Sequence, residues 1–101
     1  MTATLTPAQI RFLRGQAHEL KPILHVGNKG VSSAFIAQLN EVLDQHELVK
    51  VRVNVKDRSE RLACATCLIE QTGSHLIQRI GHMQILYRAN PSARKLVLPR
   101  P

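Results

Sequence analysis

Residues 48–56 read LVKVRVNVK, with Val49, Val51, Val53 and Val55 at every second position and Lys50, Arg52, Asn54 and Lys56 in between. A period of two belongs to an extended strand, whose side chains alternate between faces. A helical period of 3.6 would scatter the same valines around an axis. The pattern therefore predicts a strand with a valine face turned to a core and a face that is wet and basic. A sheet buried on one face needs a covering layer, so the rest of the chain must supply helices of matching length.

Those helices are legible on both sides. Thr6 is the expected N-cap of the first, with Pro7 at the first helical position and Gln9 where a capping box places its partner. Leu5 and Ile10 are spaced for a hydrophobic staple. Ile10, Leu13, Ala17 and Leu20 form the core-facing stripe, and Pro22 is the expected stop. Residues 23–26, ILHV, predict a short buried strand. A second helix starts at Ser32 or Ser33 and buries Phe35, Ile36, Leu39, Val42 and Leu43. A third runs from about Ser59 to Gln71, with Leu62, Ala65, Thr66 and Ile69 inward and Gly73 as its terminator. HLIQRI and MQILYR then pair as a hairpin turning at Gly81 and His82. The order αβαβαββ predicts an α/β fold of the α+β, two-layer kind: a four-stranded mixed sheet with the helices mainly on one face. All 101 residues form one domain, with a core over about 5–90 and a basic tail over 91–101 in which residues 96–98 are a candidate edge segment.

Charge narrows the partner. Fourteen Lys and Arg oppose seven Asp and Glu, a net charge of +7, and no acidic residue follows Glu70. A small basic domain of this kind is expected to meet a polyanion, nucleic acid foremost. No apolar run is long enough for a membrane span, and the N-terminus lacks the basic and apolar regions of a secretory signal. The expected setting is cytoplasmic, the expected state a monomer, and no membrane, small-molecule substrate or cofactor is expected.

The most suggestive local feature is the loop Gly27-Asn28-Lys29-Gly30 between a strand and a helix. Its glycines keep side chains away from an approaching phosphate, and the helix behind it offers unpaired amides and the positive end of its dipole. It has neither the spacing of a P-loop nor the third glycine of a dinucleotide fingerprint. On the first helix Arg11, Arg14, His18 and Lys21 fall within roughly 80° of arc at about 100° per residue, with Glu19 away from them. This stripe and the loop are read together as a phosphate-tracking surface. Lys50 and Arg52 extend it or merely keep the sheet solvated, and Arg88 is placed on the same face. Phe12 is a candidate for base stacking or for packing under the tail, and Tyr87 for a base or the core.

Catalysis and metal binding find little footing. Cys64 and Cys67 form a CxxC inside a helix, without the second ligand pair a zinc site requires and away from the helix start that activates a redox thiol. Packing is the expected role, with a thiol redox function as the weakest alternative. The five histidines lack metal-ligand spacing, and His25 is expected to be packed or hydrogen-bonded. The main rival to RNA binding is a protein-interaction module docking on an acidic ribosomal or assembly partner.

With these pieces in view, the chain resembles the CRM-domain family, the chloroplast RNA splicing and ribosome maturation domain, and within it the short stand-alone bacterial YhbY-like members. The resemblance runs from about residue 5 to about residue 99 through LTPAQIRFLRGQAHELKPILHVGNKG, ELVKVRV, EQTG, IGHMQILYR and KLVLP. It implies a fold similar to the C-terminal domain of bacterial translation initiation factor three, and a GxxG loop like that of KH domains contacting the RNA backbone. In many relatives a lysine directly follows the first glycine, whereas here Asn28 precedes Lys29, leaving either side chain to make the contact. The bacterial members are associated with precursors of the large ribosomal subunit and the plant relatives with organellar intron splicing. The resemblance thus implies a non-catalytic ribosome assembly factor that binds precursor 50S ribosomal RNA.

Overall fold

The computed structural model describes residues 5–27 and 30–90. Asn28, Lys29 and the basic tail, including its candidate edge segment, lie outside the described residues. Seven elements follow the expected order: α1 (Pro7–Ala17), β1 (Leu24–Val26), α2 (Ser33–His46), β2 (Leu48–Val53), α3 (Arg58–Thr72), β3 (His75–Ile80) and β4 (Met83–Tyr87). The strands form one mixed sheet in the order β1-β2-β4-β3. β1 and β2 run parallel, as their helical crossover requires, and β4 pairs antiparallel with both β2 and β3.

Local chemistry sets the helix ends. The amide of Gln9 donates to Thr6 Oγ1 at 3.2 Å and the Thr6 amide to Gln9 Oε1 at 3.0 Å, closing the expected capping box. α1 ends at Ala17 rather than reaching Pro22. The proline disfavours helical backbone at Lys21, and the chain leaves through a turn in which the Leu20 amide donates to the Ala17 carbonyl. Ser32 caps α2 through the amide of Phe35 at 3.1 Å. Asp57 caps α3, accepting from the amides of Ser59 and Glu60, and Gly73 ends it with a φ of +67° that a side chain would resist.

Two apolar clusters lie on opposite faces of the sheet. Val49, Val51, Val53 and Val55 meet Leu39 and Leu43 of α2, Leu68 of α3 and Leu86 of β4 on one face. Leu48, Ile77, Ile85 and Tyr87 meet Leu13 and Ala17 of α1 on the other, with Leu5, Ile10, Phe12 and Leu20 packed at the edge. Two of the three helices thus share the valine face, and α1 covers the opposite one. The second face of β2 is therefore not simply wet: Leu48 is buried there, Lys50 is half-buried and only Arg52 is exposed. The same placement gives Phe12 and Tyr87 to the core.

Three other expectations are corrected. In α3 Ala65 and Ile69 turn inward as expected and are joined by Leu68 and Thr72, while Thr66 is exposed and Leu62 is 47% exposed. The helix is rich in small and polar residues, so its apolar arc is poorly defined by sequence and its rotation is set by the sheet beneath. Ile23 lies just ahead of β1 and is 46% exposed, although its amide donates to the Lys50 carbonyl. His25 is exposed on the edge strand rather than packed, because the alternation that buries Leu24 and Val26 turns it outward.

Candidate nucleic-acid interface

Gly27 and Gly30 lie between the end of β1 and the start of α2. Gly27 is exposed and its carbonyl accepts from the Gly30 amide at 3.0 Å. Gly30 has a φ of +80°, so the turn needs a residue without a Cβ penalty. Space is open where a Cβ would stand on either glycine. Behind the turn, the first amides of α2 carry no intrahelical partner beyond the one that Ser32 supplies.

Backbone pairing shows what shares this end of the sheet. The Val26 carbonyl accepts from the Asn54 amide at 2.8 Å, and the His82 carbonyl accepts from the Val53 amide at 2.7 Å. The end of β1, the end of β2, the β3–β4 turn and the start of α3 therefore lie side by side. Arg52 is exposed near this end, its Nε donating to Asn54 Oδ1 at 2.9 Å and its backbone in register with His25. Lys56 and Arg58 follow, both exposed.

The stripe on α1 is placed differently from the sequence expectation. Arg11, Arg14, His18 and Lys21 are all exposed, but α1 lies across the face opposite α2. Lys21 lines a cleft of about 340 Å³ with Glu19, Leu20, Ile23, His46 and Leu48. Leu48 begins β2, five residues before Val53 at the loop end, a span of about 17 Å at ~3.4 Å per residue. Lys21 thus lies at the end of the sheet away from the loop, and Glu19 joins it at the same cleft. The two were expected to be kept apart.

Arg88 is not on the face of Lys50 and Arg52. Its register places it on the valine side, where Nη1 donates to Asn40 Oδ1 and the Thr72 carbonyl, both at 2.7 Å. Nη2 donates to the Asn40 carbonyl at 3.0 Å and pairs with Asp44 Oδ1 at 2.8 Å. The guanidinium clamps α2 to the end of α3 and is engaged in structure rather than offered to a ligand. Arg58, Arg61 and Arg79, which lie outside the expected surface, gather instead at the loop end. Arg79 could have been noticed, since it falls in the acid-free last part of the chain. The other two alternate with acidic residues in sequence, and only folding separates the signs.

The cysteines fit a packing role. Both are reduced and partly buried, and Cys64 packs against the valine-side cluster. Burial pushes the Cys64 thiol up, with Cys67 and then Glu60 adding to the shift. That is opposite to the direction that makes a thiolate nucleophile. Among the described residues no group of three His, Cys, Asp or Glu side chains could hold a metal ion, and no helix is long and apolar enough to cross a membrane.

Comparison with known proteins gives this geometry its family. The model of the CRS1/YhbY (CRM) domain matches residues 5–88. The chain belongs to the CRS1/YhbY family. It is 36% identical to an RNA-binding protein of Haemophilus influenzae over 97 residues, covering 96% of this chain and 97% of that one. It is 38% identical to YqeI of Bacillus subtilis over 95 residues, covering 94% and 99%. The solution structure of SAV1595 from Staphylococcus aureus superposes with a TM-score of 0.82 at 35% identity, covering 95% of this chain and all of that one. This member of the CRM family thus shares with such relatives a domain of about its own length.

Proposed function

We propose that this CRM domain binds RNA through its backbone and serves, without catalysis, in assembly of the large ribosomal subunit. The observation that carries the reading is the convergence at one end of the sheet of an open glycine turn, the amide end of α2 and exposed cationic side chains. Phosphate is the ligand that answers all three features at once. The Haemophilus influenzae relative bears the name of an RNA-binding protein, and the likeness to short bacterial YhbY-like members supports precursor ribosomal RNA as the partner. Gly27 and Gly30 shape the turn, and Asn28 or Lys29 reaches the phosphate. Arg52 lies beside the turn, and Arg11, Arg14, His18 and Lys21 carry the contact along a second face.

Contacts of this type position an RNA without reading its bases, so discrimination among sequences should be weak. Replacing Lys29→Ala together with Arg14→Ala should weaken binding about equally for unrelated structured RNAs. It should also flatten the salt dependence by about 0.7–0.9 in log–log slope per lost phosphate contact. An affinity and a salt slope both left as in the parent chain would overturn the loop-and-stripe reading. Sedimentation of the chain with ribosomal particles before and after ribonuclease treatment tests the assembly role, since association through RNA disappears on digestion and association through protein survives it.

A further inference from the structure

Arg58, Arg61, Arg79 and Gly81 line a cleft of about 280 Å³ where the first turn of α3 faces the β3–β4 turn. Arg79 stands opposite Gln84 in the β3–β4 ladder, and Gln84 Nε2 donates to the Arg61 carbonyl at 3.0 Å, which fixes helix and hairpin against each other. Arg61 Nη1 donates to the carbonyls of Val55 and Lys56, each at 2.7 Å. Its guanidinium is thereby held in place at the end of the sheet before any ligand arrives, with its remaining N–H groups directed elsewhere.

Among the described residues none of these three cations forms an ion pair with a carboxylate. Arg88, by contrast, is paired with Asp44. Of the two acids beside them in sequence, Asp57 turns its carboxylate to the amides of its own helix, and Glu60 is exposed without pairing to any of the three. Like charges held around one cleft repel, and an anion between them reverses the sign of that energy. Guanidinium forks match phosphate oxygens in pairs. Gly81, with a φ of +57° and open space where a Cβ would stand, leaves the rim of the cleft clear for a backbone-sized group.

We propose that the cleft of Arg58, Arg61 and Arg79 is a second phosphate site, which takes a backbone phosphodiester of the same RNA that lies on the turn of residues 27–30. The proposal rests on the RNA-binding reading above. The hydrogen bonds of Val53 to His82 and of Asn54 to Val26 put the two sites at one end of the sheet. Between them lie only the widths of β2 and β4, with neighbouring strands about 4.8 Å apart. One strand of RNA then crosses that end past Arg52 and Lys56.

The test uses the full chain carrying Arg58→Gln and Arg79→Gln, both at exposed positions, with Arg61 kept because it braces the fold. Binding of a fluorescein-labelled RNA hairpin is measured across a potassium chloride series, and an unfolding curve checks that the variant folds. The expected result is a log–log salt slope lower by about 1.4–1.8, two contacts at about 0.7–0.9 each, with weaker affinity. A folded variant with the parent slope overturns the cleft while leaving RNA binding at the turn intact. A parent chain that fails to bind the hairpin overturns the RNA reading and the cleft with it. Inorganic phosphate separates the remaining source: if it shifts the Arg58 and Arg79 Nε resonances while the RNA slope is unaffected by the substitutions, the cleft serves a free anion and the proposal is wrong.

Discussion

At the scale of single residues, the guanidinium of Arg88 shows how tertiary contacts reassign a charge that looks free in sequence. It joins Asn40 and Asp44 of α2 to the last carbonyl of α3. Beside it, the chain is tied down by the Arg88 amide on the Glu47 carbonyl and the Asn90 amide on Glu47 Oε2. Glu47 is fully buried and has a φ of +61°, an uncommon backbone state for a residue with a side chain. Truncating Arg88→Ala leaves the Thr72 and Asn40 groups without their donor. The expected loss is about 1.5–3 kcal/mol of stability, the range for hydrogen bonds to charged groups. Urea unfolding checks it, and RNA affinity measured below the transition should be nearly unchanged, because Arg88 is absent from the loop end.

Among the elements, α3 is where sequence and structure part. Its two ends follow from Asp57 and Gly73, which act within one turn, so both could be placed to within a residue or so. Its rotation could not be, because Leu62, Ala65, Thr66, Leu68 and Ile69 permit more than one apolar arc. The sheet selects the arc that sets Leu68 among Val49, Val51 and Leu86. Substituting Leu68→Ala should therefore cost about 2–5 kcal/mol, as for other buried leucines. Leu62→Gln should change stability by no more than about 0.5 kcal/mol, as for a surface position. Chemical denaturation of the pair decides the rotation, and equal losses would sink the assignment. By contrast β2 was legible in full on its valine face, since a period of two admits only two assignments and the valines choose one.

Across the whole molecule, folding sorts charge along the sheet axis. Arg52, Lys56, Arg58, Arg61 and Arg79 collect with the glycine turn and outnumber Asp57 and Glu60 there, while Glu41, Asp44 and Glu47 lie toward the other end of α2, next to the start of β2. Such a separation draws a polyanion to one end and orients it there. Backbone amide resonances followed during RNA addition should shift at Gly30 and over 54–61 and 79–82, and stay still over 41–48. Shifts spread evenly over both ends would contradict a polar binding surface. The element order, the caps, the valine face and the glycine turn were determined by the sequence alone, because each depends on residues within a few positions of one another. Which helix covers which face, the removal of Arg88 from the surface and the meeting of Arg58, Arg61 and Arg79 were decided only by the tertiary structure. Those outcomes depend on strands β4 and β3 arriving last and on β4 inserting beside β2, which brings together charges up to 21 residues apart that no local pattern connects.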